Sequence, residues 1–259
     1  MRGMDSDGNL AGNGAVIITG GSRGIGAACA RLAARDGWSV CVNYTSNAEA
    51  AKAVVADVEA AGAKAIAVQA DVSREDDVLR LFKVAADALG PVTALINNAG
   101  ILENQMKLEQ MSAERFARVF SVNAIGALLC AREAVRVMGT SHGGNGGVIV
   151  NVSSAASRLG SPNEYIDYAA SKGAVDTLTI GLAKEVGGDG IRVNAVRPGL
   201  ILTDIHASSG EPGRAERLAP QVPVGRPGTA EEVAETVVWL MSEKSSYVNG
   251  ALLDVSGGR

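Results

Sequence analysis

The chain has 259 residues, 47% of them hydrophobic and 20% charged, which suits a single domain with one substantial core. A net charge of -4 and an aromatic fraction of 3% exclude a nucleic-acid surface, which needs basic patches and rings for bases to stack on. Cys29, Cys41 and Cys130 are widely spaced among small or apolar residues and read as buried free thiols in a reducing compartment, while two distant histidines, His142 and His206, supply no metal ligand set.

Residues 1–13 are polar and glycine-rich with no apolar h-region, and read as a flexible extension of a cytoplasmic protein. Residues 14–259 read as one domain. Short runs rich in Val and Ile follow, at 15–19, 40–44, 65–69, 93–97, 147–152, 191–196 and 251–255. Stretches of helical period separate them, such as NAEAAKAVVADVEAAG and SREDDVLRLFKVAADALG. Strict alternation implies βαβ crossovers, and so a doubly wound parallel α/β sheet of about seven strands covered on both faces.

Directly after the first run comes TGGSRGIG, which places Gly20, Gly24 and Gly26 where a strand turns into a helix and its free N–H groups can receive an anion. The spacing departs from the G-x-G-x-x-G dinucleotide fingerprint, so its weight comes from its position, and plain turn glycines are the competing reading. The second run ends in NYTSN, with Asn43 where an acidic residue would hold the ribose 2'-hydroxyl of NAD. With Arg23 in the glycine turn to meet a 2'-phosphate, NADP(H) is favoured over NAD(H). Tyr168 and Lys172 stand four apart in DYAASKGAV, neighbours on one helix face, where an ammonium would lower the phenol pKa. A core tyrosine beside a solvated lysine is the blander alternative. Residues 203–228, with Gly and Pro but no firm strand, read as a lid over a site, ended by a capping box of Thr229 and Glu232.

In order along the chain, TGGSRGIG, ADV, NNAG, SVNA, NVSS, YAASK and RPGLILT resemble the short-chain dehydrogenase/reductase family from about Gly14 to Gly258. The resemblance implies a Rossmann-type fold and hydride transfer between a nicotinamide and a carbonyl or alcohol. It assigns Tyr168 as acid/base, Lys172 as the residue that lowers its pKa and holds the nicotinamide ribose, Ser154 as the hydrogen bond to the substrate oxygen, and Asn123 as the link through water to the lysine. It carries cofactor contacts onto Gly20, Ser22, Arg23, Gly24, Ile25, Gly26, Asp71, Val72, Asn98, Ala99, Gly100, Pro198, Gly199, Ile201 and Thr203, and its C-terminal strand implies a homotetramer. Ser153 is expected to pack or cap, and Tyr165 to wall the substrate pocket with Leu102, Ala155, Leu159 and the lid, a wall with no charged anchor. His206 in the lid reads more commonly as a solvated loop histidine, with contact to a substrate as the alternative.

Within the family the chain is similar to 3-oxoacyl-[acyl-carrier-protein] reductases and to sugar or polyol dehydrogenases. Asp189 opposes docking of an acidic carrier, whereas Arg132, Arg136, Arg158 and Lys184 favour it, so a small ketone, sugar or secondary alcohol is the better expectation and acyl carrier protein the alternative partner. A cofactor-binding sensor or scaffold is the alternative of another class, disfavoured because all four members of the catalytic set are present.

Overall fold

The computed structural model describes residues 14–203 and 210–259. The expected N-terminal extension and His206 lie outside the described residues.

Seven strands form one parallel sheet: β1 (Ala15–Ile18), β2 (Ser39–Tyr44), β3 (Ala65–Gln69), β4 (Val92–Asn97), β5 (Gly147–Val152), β6 (Ile191–Pro198) and β7 (Leu252–Val255). Their order, β3-β2-β1-β4-β5-β6-β7, reverses direction between β1 and β4, the topological switch point at which doubly wound sheets open a ligand crevice. The runs read from sequence are these strands, with ends differing by one or two residues.

The near absence of polar residues in the strands follows from burial on both faces. Because side chains alternate, Val16 and Ile18 of β1 point to one face while Ala15 and Ile17 point to the other. The first face packs α1 (Gly24–Arg35), α2 (Ala48–Ala60) and α9 (Ala230–Met241) through residues such as Ala30, Val54 and Val237. The second packs α3 (Glu75–Leu89), α5 (Gly126–Met138) and the end of α7 (Ile166–Glu185) through Leu81, Cys130 and Ala183. All three cysteines are buried and free, as expected. Burial pushes the Cys29 thiol pKa far up, and those of Cys41 and Cys130 to about 12.

Shorter elements shape the cleft: α4 (Ala113–Phe120), a π-helical turn at Ser121–Ile125, α6 (Ala156–Leu159) and α8 (Arg214–Leu218). The expected capping box starts α9: Thr229 Oγ1 accepts from the Glu232 amide at 3.2 Å, and the Glu232 carboxylate accepts from the Thr229 amide at 2.9 Å. Among the described residues no helix is long and apolar enough to cross a membrane, and no group of side chains could hold a metal ion.

Candidate active site

The carboxyl ends of the strands border one cleft of about 640 Å³. At its nucleotide end the chain leaves β1 through Gly20 (φ +60°) and enters α1 at Gly24 (φ +52°), left-handed conformations that favour glycine. No side chain caps the start of α1 and no acidic residue lies in its first turn, so its amides and positive dipole end stay free for an anion. Ser22, Arg23, Gly24 and Ile25 line the cleft here. Thr19 joins the two sides of the switch point, its Oγ1 accepting from the amides of Asn98 at 2.9 Å and Ala99 at 3.0 Å. Asn98, Ala99 and Gly100 then form the cleft floor, with Asp71 and Val72 at the far side. A backbone cradle this close, in which a Cβ on Gly20 would sit 3.1 Å from Ala99 Cα, fits a pyrophosphate that must approach main chain.

Two residues expected at this end serve differently. Asn43 is buried and absent from the cleft wall: its Oδ1 accepts from the Gly20 amide at 3.1 Å and its Nδ2 donates to the carbonyls of Ala70 at 2.9 Å and Val68 at 3.3 Å. It braces the turn from beneath, and Tyr44, Thr45, Ser46 and Asn47 face the cleft at the β2 end instead. Gly26 also stays off the wall; a Cβ there would lie 2.5 Å from the Gly20 carbonyl oxygen, so its smallness lets α1 seat against the turn. Asp71 lines the cleft, though its Oδ1 already accepts from the amide and hydroxyl of Ser73.

At the other end β5 delivers Ser154 and α7 delivers Tyr168 and Lys172. Ser154, whose Oγ accepts from the Ala156 amide at 3.1 Å, lines the cleft together with Tyr168 and acts to lower the pKa of that phenol. The Lys172 ammonium lies 5.7 Å from the Tyr168 ring centroid and donates to the Val152 carbonyl at 2.8 Å. Gly100 leaves room beside it, for a Cβ there would come 3.5 Å from Nζ and 3.4 Å from Asn123 Oδ1. Asn123 sits in the π-helical turn, a distortion common at functional sites. Its amide is spent on Ile101 and on the Ser171 hydroxyl, so its side chain is a brace rather than a free hand toward water. Ser153 donates to the Lys172 carbonyl at 3.2 Å and so packs, as expected.

Burial raises the Tyr168 pKa, and the neighbouring Ser154 side chain acts to lower it. The Lys172 ammonium lies over the Tyr168 ring and donates to the Val152 carbonyl, and burial lowers its own pKa to about 8 against the raising influence of Asp176.

Pro198, Gly199, Leu200, Ile201 and Thr203 close the roof, and a bridge between Ile201 and Gly228 pins the two ends of the lid together. Leu200, Ala215, Leu218 and Val222 give the described part of the lid a small apolar core of its own. Tyr165, Leu102, Ala155 and Leu159 line the cleft as expected. Sequence reasoning missed two cations on that wall, Arg214 and Arg259. Arg214 lies over the Tyr165 ring, 5.1 Å from its centroid, and is paired with both Glu164 and Glu211. Two non-glycine residues beside it, Ser161 and Asn163, hold positive φ of 45° and 63°, backbone strain of the kind that gathers at ligand sites. A signal was present in the run S-P-N-E, where Asn and Ser tolerate the left-handed region.

A family model described as enoyl-(acyl carrier protein) reductase matches residues 20–259. An uncharacterized oxidoreductase of Escherichia coli (strain K12), YgfF, is 55% identical over 94% of this chain and 98% of its own. The chain belongs to the short-chain dehydrogenase/reductase family. Among solved structures of that family, levodione reductase superposes with a TM-score of 0.88 at 33% identity, covering 95% of this chain and 97% of its own. A 3-ketoacyl-(acyl-carrier-protein) reductase from Brucella melitensis complexed with NADH gives 0.88 at 31%, covering 96% and 98%. As a short-chain dehydrogenase/reductase the protein is an oxidoreductase of CH–OH and C=O groups, and its fold binds a nicotinamide cofactor.

Proposed function

We propose that the protein is an NADPH-dependent carbonyl reductase in which Tyr168 is the acid/base, Ser154 holds the substrate oxygen and Lys172 stabilises the charge left on Tyr168. The observation that carries this reading is that Ser154, Tyr168 and Lys172 line the same cleft as the uncapped glycine turn. The nicotinamide supplies the hydride when bound. A carbonyl carbon that accepts it leaves an alkoxide, and the Tyr168 hydroxyl is placed to give that oxygen its proton while Ser154 donates a second hydrogen bond. A phenol whose pKa burial has raised is protonated at neutral pH, which suits a proton donor and favours the reductive direction. Lys172, buried and adjacent, offsets the phenolate that results.

NADP preference is supported by Arg23 on the cleft wall and by a β2 end, Tyr44 to Asn47, that has no carboxylate to repel a 2'-phosphate. A small soluble ketone is favoured over a carrier-bound one because, of the four cations that could receive an acidic carrier, Arg132, Arg136 and Arg158 are already engaged by Glu75, Glu133 and Asp254, which leaves Lys184. The homotetramer stays part of the proposal as an implication of family membership, with Ile125 and Leu128 exposed on one helical stretch as candidate contacts.

Two measurements test the reading. Calorimetric titration is expected to give tighter binding of NADPH than NADH; the reverse order would overturn the cofactor assignment. Oxidation of NADPH with a panel of small ketones and acetoacetyl-carrier protein is expected to favour the ketones, and Tyr168→Phe to lower kcat by roughly 10² to 10⁴ with NADPH binding retained. Full activity in Tyr168→Phe would remove it as the acid, and a preference for the carrier-bound substrate would install the alternative.

A further inference from the structure

Lys172 is followed one turn later on α7 by Asp176, a carboxylate 7% exposed and set beneath the cleft. Residues four apart on a helix are neighbours on one face. Arg197 of β6 reaches Asp176 from the other side, with both Nε (3.0 Å) and Nη2 (2.9 Å) on the same oxygen, Oδ2. The second oxygen, Oδ1, is buried and takes no hydrogen bond. A carboxylate so placed is a source of negative potential that water does not screen, close to an ammonium that burial would otherwise neutralise. Arg197 directly precedes Pro198 and Gly199 of the cleft roof and also lies 3.9 Å from Asp254 of β7, so the pair ties the lysine to the sheet edge.

We propose that Asp176, held by Arg197, is a positioning residue that keeps Lys172 charged in the active site. The proposal rests on the assignment of Lys172 to the nicotinamide ribose and extends it. On α7 itself the groups that face Lys172 are Tyr168 and Asp176. Of the elements packed against α7, β5 brings the Val152 carbonyl and the neutral Ser153 and Ser154, and the π-helical turn brings the neutral Asn123. α4 brings Arg115, whose charge is consumed by Asp167 of α7, and α6 brings Arg158, which lies 3.6 Å from Asp254. β6 brings Arg197, which is paired with Asp176, and Asp176 is the charge that acts to raise the lysine pKa.

The sign follows from the charges. Asp176 opposes the lowering of the Lys172 pKa by burial, so its removal drives deprotonation to lower pH. Removal of Arg197 takes away a like charge and leaves the carboxylate acting on the lysine alone, so it drives deprotonation to higher pH. A residue that merely fills space gives neither shift, and no packing defect gives both with opposite sign.

The test is the pH dependence of NADPH affinity from pH 6 to 10, read by cofactor fluorescence on the full chain, with Lys172→Met as the pH-independent reference. In the wild type the affinity is expected to fall about tenfold through a transition near pH 8 as the lysine loses its proton. Asp176→Asn is expected to move that midpoint down by about one pH unit, Asp176→Glu to restore it, and Arg197→Met to move it up. Unmoved midpoints, or shifts of the same sign in Asp176→Asn and Arg197→Met, would overturn the proposal. Should Asp176→Asn fail to fold, the direction of the Arg197→Met shift decides alone. Binding of neither NADPH nor NADH would instead overturn the nicotinamide assignment itself, while wild-type affinity as independent of pH as that of Lys172→Met would overturn the role given to Lys172 and with it that of Asp176.

Discussion

Asn43 illustrates how one side chain can serve a site without touching it. Its buried amide satisfies the Gly20 N–H and two carbonyls at the β3 end. A buried donor or acceptor left unpaired costs about 1–3 kcal/mol. Asn43→Ala is therefore expected to lower the stability of the cofactor-free protein by about that amount, checked by urea denaturation. A residue whose only role was to contact the nucleotide would leave the cofactor-free protein unchanged. Sequence position suggested the contact, because the end of the second strand is where Rossmann-type folds read the ribose. What position left out is the parity of the strand: Asn43 pairs in register with Val68 inside the sheet, and the chain turns toward the cleft only from Tyr44 onward. Ser154, Tyr168 and Lys172 were legible through the resemblance to the family, carried by NVSS and YAASK in their order along the chain. The direction of the Tyr168 pKa was not, because it depends on burial, which spacing alone does not encode.

Elements were legible where the local signal and the tertiary fold agree. Runs of Val and Ile became strands because both faces of the sheet are covered, and the Thr229–Glu232 box became a helix start because it satisfies orphan amides by itself. The π-helical turn that carries Asn123 had no such signal: SVNAI has no proline or glycine pair to mark the distortion, and its shape comes from packing on Ile101 and Ser171. Arg214 escaped notice for a related reason, since its partners Glu164 and Glu211 are brought to it by the lid's fold rather than by helix spacing alone. Glycines within helices sort by the same logic. A methyl group on Gly26 meets the Gly20 carbonyl and sits 2.7 Å from Asn98 Nδ2, so Gly26→Ala is expected to spread the turn and cut both stability and NADPH affinity. A methyl on Gly181 of α7 meets nothing within 4 Å, and Gly181→Ala is expected to stabilise by roughly 0.5–1 kcal/mol. Thermal melts and NADPH titrations of the two variants check the contrast: a shared sign would show that contact at the modified position does not govern the outcome.

At the scale of the whole molecule the buried titratable groups oppose one another, and together they set an alkaline limit to stability. Lys172 has a folded pKa of about 8, below its ordinary value of 10.5. Between those pH values the unfolded chain holds a proton that the folded one has released, so this group makes stability rise with pH. The three thiols act the other way: each starts near 9.0 when unfolded and is raised by burial, so above pH 9 the folded state keeps protons that the unfolded state gives up. The raised Tyr168 adds to that loss at still higher pH. One group against three leaves a nearly flat profile around pH 8 to 8.5. Above pH 9 a net difference approaching two protons makes stability fall by up to roughly 2–3 kcal/mol per pH unit. Urea denaturation at pH 7, 8.5 and 10 in the presence of a reductant is expected to trace that shape. Replacing Cys29 and Cys130 by Ala is expected to lower stability at every pH through lost packing, while making its decline above pH 9 shallower. An alkaline decline of unchanged slope in that variant would assign the limit to groups other than the thiols.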